Sequence, residues 1–381
     1  MNKGYFAATI LILVLIFTMT ACSFGDNSDS ECAHVYYKRS GSGMDEEWYC
    51  SKCDQKVGPT IGIDYAISSD NSYAEVIGYF NESKDVLIAS VYNGVPVKSI
   101  SDHAFYGCTS LESITIPEGV TSIGEYAFFG CTSLASINLP ESIESIGTYA
   151  FYDCTSLTGI NIPEGVTSIG GSAFSGCTSL ASINCPESIE SIGSYAFEGC
   201  NIDSLLSEYE CGKYFGPQSN PYAVLIGLTN RNMNTYTIHE DAKIIAGGAF
   251  SGCQNLSKVN FGYGKISIGD HAFANCNNLV SISIDNGVKS IGNYAFLNCT
   301  SLTYVKFGQG VESIGSWVFY DCNKLDCVYL DRDLKSIGDN AFTCANIRNM
   351  KIIYSGTKAE WEKIENSNKY SYLITCTDGK Y

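Results

Sequence analysis

From Ile100 to Phe342 the chain keeps one beat. Ile100, Ile123, Ile146, Ile169, Ile192, Ile245, Ile268, Ile291, Ile314 and Ile337 each stand five residues before a phenylalanine. Those phenylalanines are Phe105, Phe128, Phe151, Phe174, Phe197, Phe250, Phe273, Phe296, Phe319 and Phe342, and every step but one is 23 residues. Alanine precedes each of them except at Val318, and cysteine follows three residues after nine of the ten. A 23-residue unit has no interior until its neighbours cover it, so this period predicts a repeat solenoid with one continuous core. Function then belongs to a long stacked surface.

In the coil Leu134-Ala-Ser-Ile137-Asn-Leu139-Pro140, apolar residues at relative positions one, four and six match the L-x-x-L-x-L strand of leucine-rich repeats. Side chains alternate across a strand, which sends Ile137 and Leu139 inward and Asn138 to water. Pro140-Glu141-Ser142 then turns the chain, and Ile143 and Ile146 return to the core. Gly147 permits a bend, although Ser101 and Ala246 hold its position in two coils. Tyr149-Ala150-Phe151-Tyr152-Asp153-Cys154 is predicted to form one short helical or 3₁₀ turn with Ala150, Phe151 and Cys154 inside and Tyr149 outside.

The motif I-G-x-x-A-F-x-x-C-x-x-L-x-x-I-x-I-P recurs over about residues 97 to 354 and resembles the BspA-like leucine-rich repeats of bacterial surface proteins. The resemblance implies a leucine-rich repeat stack, each coil with a short parallel-sheet strand, on an exported protein often engaged in adhesion to host proteins or other cells. It implies no catalytic residues.

The rest of the chain organises around the array. Residues 1–22 read as an export signal: Met19-Thr20-Ala21-Cys22 looks like the lipobox of bacterial lipoproteins, with Cys22 as the lipidated residue. A plain cleaved signal or an uncleaved helix is the alternative, and the apolar run is short for a membrane span. Residues 23–60 read as a tether that could carry a zinc knuckle and 61–99 as N-terminal entry strands and cap. The first array is 100–200 and the second 238–354, with an insertion at 201–237 that reads as a joint, a surface excursion or a binding loop. Within it Lys213-Tyr-Phe-Gly-Pro217 reads as a loop and Tyr222 to Leu228 as an added strand. Residues 355–381 cap the far end, where Thr357-Lys-Ala-Glu360 is a capping-box pattern for a short helix carrying Trp361 and Ile364.

A net charge of −17 disfavours nucleic acid, whose binding draws on counterions released around Lys and Arg. Eighteen cysteines in an exported chain would ordinarily suggest disulfides. Here nine of them share one position in the repeat, where parallel side chains reach the disulfide dihedral with difficulty, so a ladder of free thiols is expected. The compact ligand set is Cys32-Ala-His34 with Cys50-Ser-Lys-Cys53, which resembles a zinc-ribbon knuckle and suits a structural zinc. Disulfides or plain thiols are the other readings.

Two outward rows suit partner contact. Asn138, Asn161 and Asn184 stand on the sheet, and Tyr126, Tyr149, Tyr195, Tyr294 and Trp317 lie two residues before the phenylalanines, with Tyr106, Phe129, Tyr152 and Tyr320 beside them. Packing over the edge of the stack is the favoured reading of the aromatics, and a plain solvated sheet explains the asparagines equally. A row of glutamates, Glu118, Glu141, Glu164, Glu187 and Glu240, follows the turns. The expectation is a non-catalytic, lipid-anchored surface protein that binds proteins or cell-surface glycans. An envelope-organising scaffold is the alternative, and a glycan-processing enzyme with carboxylates near Glu208 and Glu210 a weaker one.

Overall fold

The computed structural model describes residues 36–39, 47–50 and 60–380, apart from 262–265, 287 and 345–349. The chain divides into two units, Met1–Val57 and Gly58–Tyr381. In the first, strands Tyr36–Arg39 and Glu47–Cys50 pair antiparallel with Tyr36 opposite Cys50. The leader, Cys22, Cys32, His34, Cys53 and the side chain of Cys50 lie outside the described residues.

The second unit is a β-solenoid of about 13 coils of roughly 23 residues with little helix. Each coil gives two short strands. In the first array Ser113–Thr115, Ser136–Asn138, Gly159–Ile160 and Ser182–Ile183 pair in parallel along one face. The Ser-Ile pairs Ser122–Ile123, Ser145–Ile146, Ser168–Ile169 and Ser191–Ile192 make a second parallel ribbon. Between the ribbons the phenylalanines stack with ring centroids 4.8 to 5.8 Å apart, and Phe151, Phe174 and Phe296 are fully buried. Burying each is worth about 1.5–3 kcal/mol, which the single coil could not secure alone.

The alanine-phenylalanine segment expected to form a helical or 3₁₀ turn is a run of overlapping turns. Within one coil Ala150, Tyr152 and Cys154 donate their N–H groups to Gly147, Tyr149 and Phe151. The alternate residues Tyr149, Phe151 and Asp153 donate instead to Gly171, Ala173 and Ser175 of the next coil at 2.7 to 2.9 Å. A regular helix would keep all these donors to itself. Left-handed residues at Tyr149 and Asp153, both with φ of 55°, break that pattern and turn the segment into a third ladder between coils.

Glycine follows isoleucine for a steric reason. A Cβ on Gly124, Gly147, Gly170 or Gly193 would lie 2.3 to 2.6 Å from the backbone of the preceding coil. The requirement comes from coil-to-coil approach rather than from the bend. Ser101 and Ala246 lie over the strands Ala74–Tyr79 and Val224–Leu228 in place of a preceding coil, donating their N–H groups to Val76 and Leu225 at 2.8 and 2.9 Å.

The nine repeat cysteines, Cys108, Cys131, Cys154, Cys177, Cys200, Cys253, Cys276, Cys299 and Cys322, are thiols. The thiols of Cys131, Cys154, Cys177, Cys200, Cys276, Cys299 and Cys322 donate to the carbonyl of the preceding coil's phenylalanine at 3.0 to 3.2 Å. That carbonyl already accepts an N–H from its own coil, as Phe105 does from Cys108. A weak donor with an apolar surface therefore suits its second lone pair in a dry core.

The insertion is a joint between two cores. Strands Ser207–Tyr209, Gly212–Phe215 and Val224–Leu228 run antiparallel, and the last pairs in parallel with Ile244–Ile245. The segment read as a loop from Lys213 is thus strand as far as Phe215. Alternation decides it: Tyr214 and Leu225 enter the second array's core, and Phe215 and Val224 enter the first's. Gly247 N–H donates to Ile192 at 2.9 Å, and Ser194 Oγ to the Asp270 carbonyl at 2.9 Å, so the arrays also touch directly.

Both ends are closed. Asn93 and Gly94, with φ of 49° and 85°, turn the hairpin between Val91–Tyr92 and Val95–Ile100. At the other end the capping box of Thr357 and Glu360 starts the helix Lys358–Trp361, and Trp361 and Ile364 are buried.

Candidate functional site

The position two residues before each phenylalanine has positive φ in all ten coils, from 51° at Ser172 to 68° at Gly248. Glycine and asparagine fit such backbone, and Gly248 and Asn340 use it. Five of the remaining eight positions carry tyrosine or tryptophan: Tyr126, Tyr149, Tyr195, Tyr294 and Trp317. A bulky L residue there costs about 1–2 kcal/mol, and an aromatic stack returns only about 0.5–1.5 kcal/mol. The rings therefore add little net folding stability, and the backbone does not ask for them.

In the first array the rings form two columns. His103, Tyr126 and Tyr149 stack at 4.9 and 4.8 Å, and Tyr106, Phe129 and Tyr152 at 4.9 Å throughout. The columns touch across at 5.5 to 5.7 Å, making one slab of six rings. Stacking covers the inner ring faces, so the slab presents edges and phenolic hydroxyls outward; Tyr106 is 53% exposed. In the second array His271 and Tyr294 stack at 5.0 Å, Trp317 follows at 6.5 Å, and Tyr320 meets Trp317 edge-on.

Charge sharpens the difference between arrays. Between Lys98 and Lys213 stand fourteen aspartates and glutamates and no lysine or arginine, so this stretch carries −14 of the net −17. Counting charge by segment reveals what the whole-chain value conceals. The slab sits within the stretch that has no cation.

The other rows differ in what they leave free. Asn138 and Asn161 are exposed on the sheet. Asn184 is instead a structural brace, its amide bonded to the backbone N–H and C=O of Ile162 at 2.6 and 2.8 Å. All five glutamates are exposed, and Glu118 and Glu164 also accept the N–H of Glu141 and Glu187 at 3.3 and 3.0 Å, bracing one turn against the next. Where the arrays meet, their Ser-Ile ribbons enclose a notch of about 420 Å³ lined by Ser145, Ser168, Ser191, Ser267, Ser290 and Asp270. The insertion that creates it had no signal for its geometry in the repeat. Among the described residues no group of three or more His, Cys, Asp or Glu could hold a metal, and no helix is long and apolar enough to cross a membrane.

Three solved structures are similar to the chain. The T. pallidum leucine rich repeat protein is 29% identical, over 59% of this chain and 91% of its own, with a TM-score of 0.41. A leucine rich cell surface protein from Faecalibacterium prausnitzii A2-165 is 24% identical over 80% and 96%, TM-score 0.39. The pneumococcal vaccine antigen PcpA is 17% identical over 84% and 96%, TM-score 0.34. No curated protein matches the chain. The profile of the BspA type leucine rich repeat region matches six copies across residues 98–212, 228–288 and 266–378, most of the chain, and this protein belongs to that family.

Proposed function

We propose that this protein is a non-catalytic binding protein of the bacterial cell surface, held there by lipid at Cys22, which recognises a protein partner through the outer face of its first array. One observation carries the reading: bulky aromatics occupy a left-handed position that glycine or asparagine would fill with less strain, and they project from the stack. Strain that folding does not require points to a role at the surface. Aromatic side chains with few rotatable bonds lose little entropy on binding and dominate protein interfaces. Glycans are the less favoured partner, because the stacked rings keep their faces from a sugar.

Replacing Tyr126, Tyr149 and Tyr195 together with asparagine tests this without disturbing the fold, since Asn340 already occupies the equivalent position. Capture of whole cells and immobilised matrix proteins should fall at least about tenfold, as expected for loss of interface aromatics, while the circular dichroism melt stays in place. Undiminished capture would reject the aromatic face as the recognition surface.

A further inference from the structure

In the first array the column of Tyr126 and Tyr149 is interrupted at a single coil, and the column beside it ends at Tyr152. After Tyr149 and Tyr152 the next coil carries Ser172 and Ser175, and the one after it Tyr195 and Glu198. The backbone does not change: Ser172 keeps φ at 51°, and its N–H donates to Ser194 at 2.8 Å in the usual ladder. Only the rings are missing. Ser175 lies buried at the floor, and Tyr195 is 46% exposed and stacks on no ring among the described residues.

The column spacing sets the size of the opening. Two coil steps at the 4.8 to 4.9 Å seen between neighbouring rings separate Tyr149 from Tyr195. That is about 10 Å, and subtracting about 1.8 Å of half-thickness for each ring leaves about 6 Å. One further aromatic ring fits there and stands at column distance from both walls.

The rim is acidic. A Cβ on Gly176, in the floor coil, would lie 2.0 Å from Asp153 Oδ1, so that carboxylate lies against the backbone next to Ser175, and Glu198 stands exposed in the following coil. Lys84, Lys213 and Lys243 pair with Glu112, Asp203 and Glu187 of the stretch between Lys98 and Lys213, whereas Asp153 and Glu198 meet no lysine or arginine among the described residues. Such a field draws in basic partners, repels uronic or sulfated glycans and does nothing for neutral sugars.

Resting on the reading that the first array is the recognition surface, we propose that this slot receives an aromatic side chain from a basic segment of a partner protein. The inserted ring completes the column, and flanking lysines or arginines meet Asp153 and Glu198. Complementary charge brings the segment to the array, and the ring sets its register.

The test fills the slot. Ser172→Tyr restores the ring that Tyr126, Tyr149 and Tyr195 show the position accepts, whereas Ser172→Gly keeps the opening and relaxes the backbone. The probes are fluorescent nine-residue peptides of lysine and arginine with a central tryptophan or a central alanine, read by polarisation against the whole protein. Wild type and Ser172→Gly should bind the tryptophan peptide at least about tenfold more tightly than the alanine peptide, and Ser172→Tyr should bind both at the alanine level. Equal binding of the two peptides by wild type, or a tryptophan preference that survives Ser172→Tyr, overturns the slot. Displacement of the tryptophan peptide by cellotetraose from wild type but not from Ser172→Tyr overturns the assigned occupant in favour of a sugar. If cell capture is lost with the three asparagines but kept in Ser172→Tyr, the slot is wrong and the surface stands. Capture kept in both rejects the two together.

Discussion

Alkali should destabilise this protein through its thiols. Cys131, Cys154, Cys253, Cys276 and Cys299 are fully buried. Hydrogen bonding to the adjacent thiol together with burial pushes Cys131, Cys154 and Cys299 well up, and burial raises Cys276 and takes Cys253 up to about 11. Below the unfolded thiol value of about 8.5 both states hold the proton, and the stabilising contribution is whole. Above it the unfolded chain releases a proton that the folded chain keeps. Each thiol then removes about 1.4 kcal/mol per pH unit until its folded value is passed.

For Cys253 the loss at pH 10 is about 2 kcal/mol. Cys276 is raised further by the same burial, so these two thiols together remove about 4 kcal/mol by pH 10, a large share of the stability of many domains. Equilibrium urea melts under anaerobic reducing conditions at pH 7.5, 9 and 10, on wild type and Cys253→Ser, isolate one thiol. The serine variant should be less stable by about 1–2 kcal/mol at pH 7.5, and that deficit should shrink by about 2 kcal/mol at pH 10. A deficit unchanged between the two pH values would refute the reasoning.

Three further outcomes follow from packing and ligation. Phe174→Ala should cost about 3–5 kcal/mol in a denaturant melt, because the ring is fully buried between Phe151 and Phe197. Gly170→Ala should cost about 3 kcal/mol or more, since its Cβ would stand 2.4 Å from Thr148 N, whereas Ala246→Gly should change stability by no more than about 1 kcal/mol. Elemental analysis of the purified chain is expected to find one zinc bound by Cys32, His34, Cys50 and Cys53, lost in the double variant Cys50→Ser and Cys53→Ser; oxidised cysteines without metal would remove that assignment.

The core was legible in the sequence because identical residues recur at identical register, so Phe151 or Ile146 declares its neighbours by arithmetic alone. The left-handed turns were not. Tyr149 has no preference for positive φ, and the clue lay in the minority substitutes Gly248 and Asn340, read against their aromatic counterparts. The strand ending at Phe215 was hidden because glycine and proline nearby suggest a loop, while burial of Tyr214 and Phe215 in separate cores is decided only when the second array docks. The rows of the candidate surface could be placed from spacing. That Asn184 braces a neighbouring coil, or that Ser172 leaves an opening, depends on distances that spacing does not contain.

The steric demand on the residue after isoleucine governs how such an array can lengthen over evolutionary time. An interior coil, with glycine there, can be duplicated in place and laid against either neighbour without a clash. The opening coil cannot: copied inward, the side chain of Ser101 or Ala246 would be driven into the winding beneath it. Growth is therefore confined to the middle of each stack, and the two founding coils stay where they are while everything between them and the far caps is free to multiply.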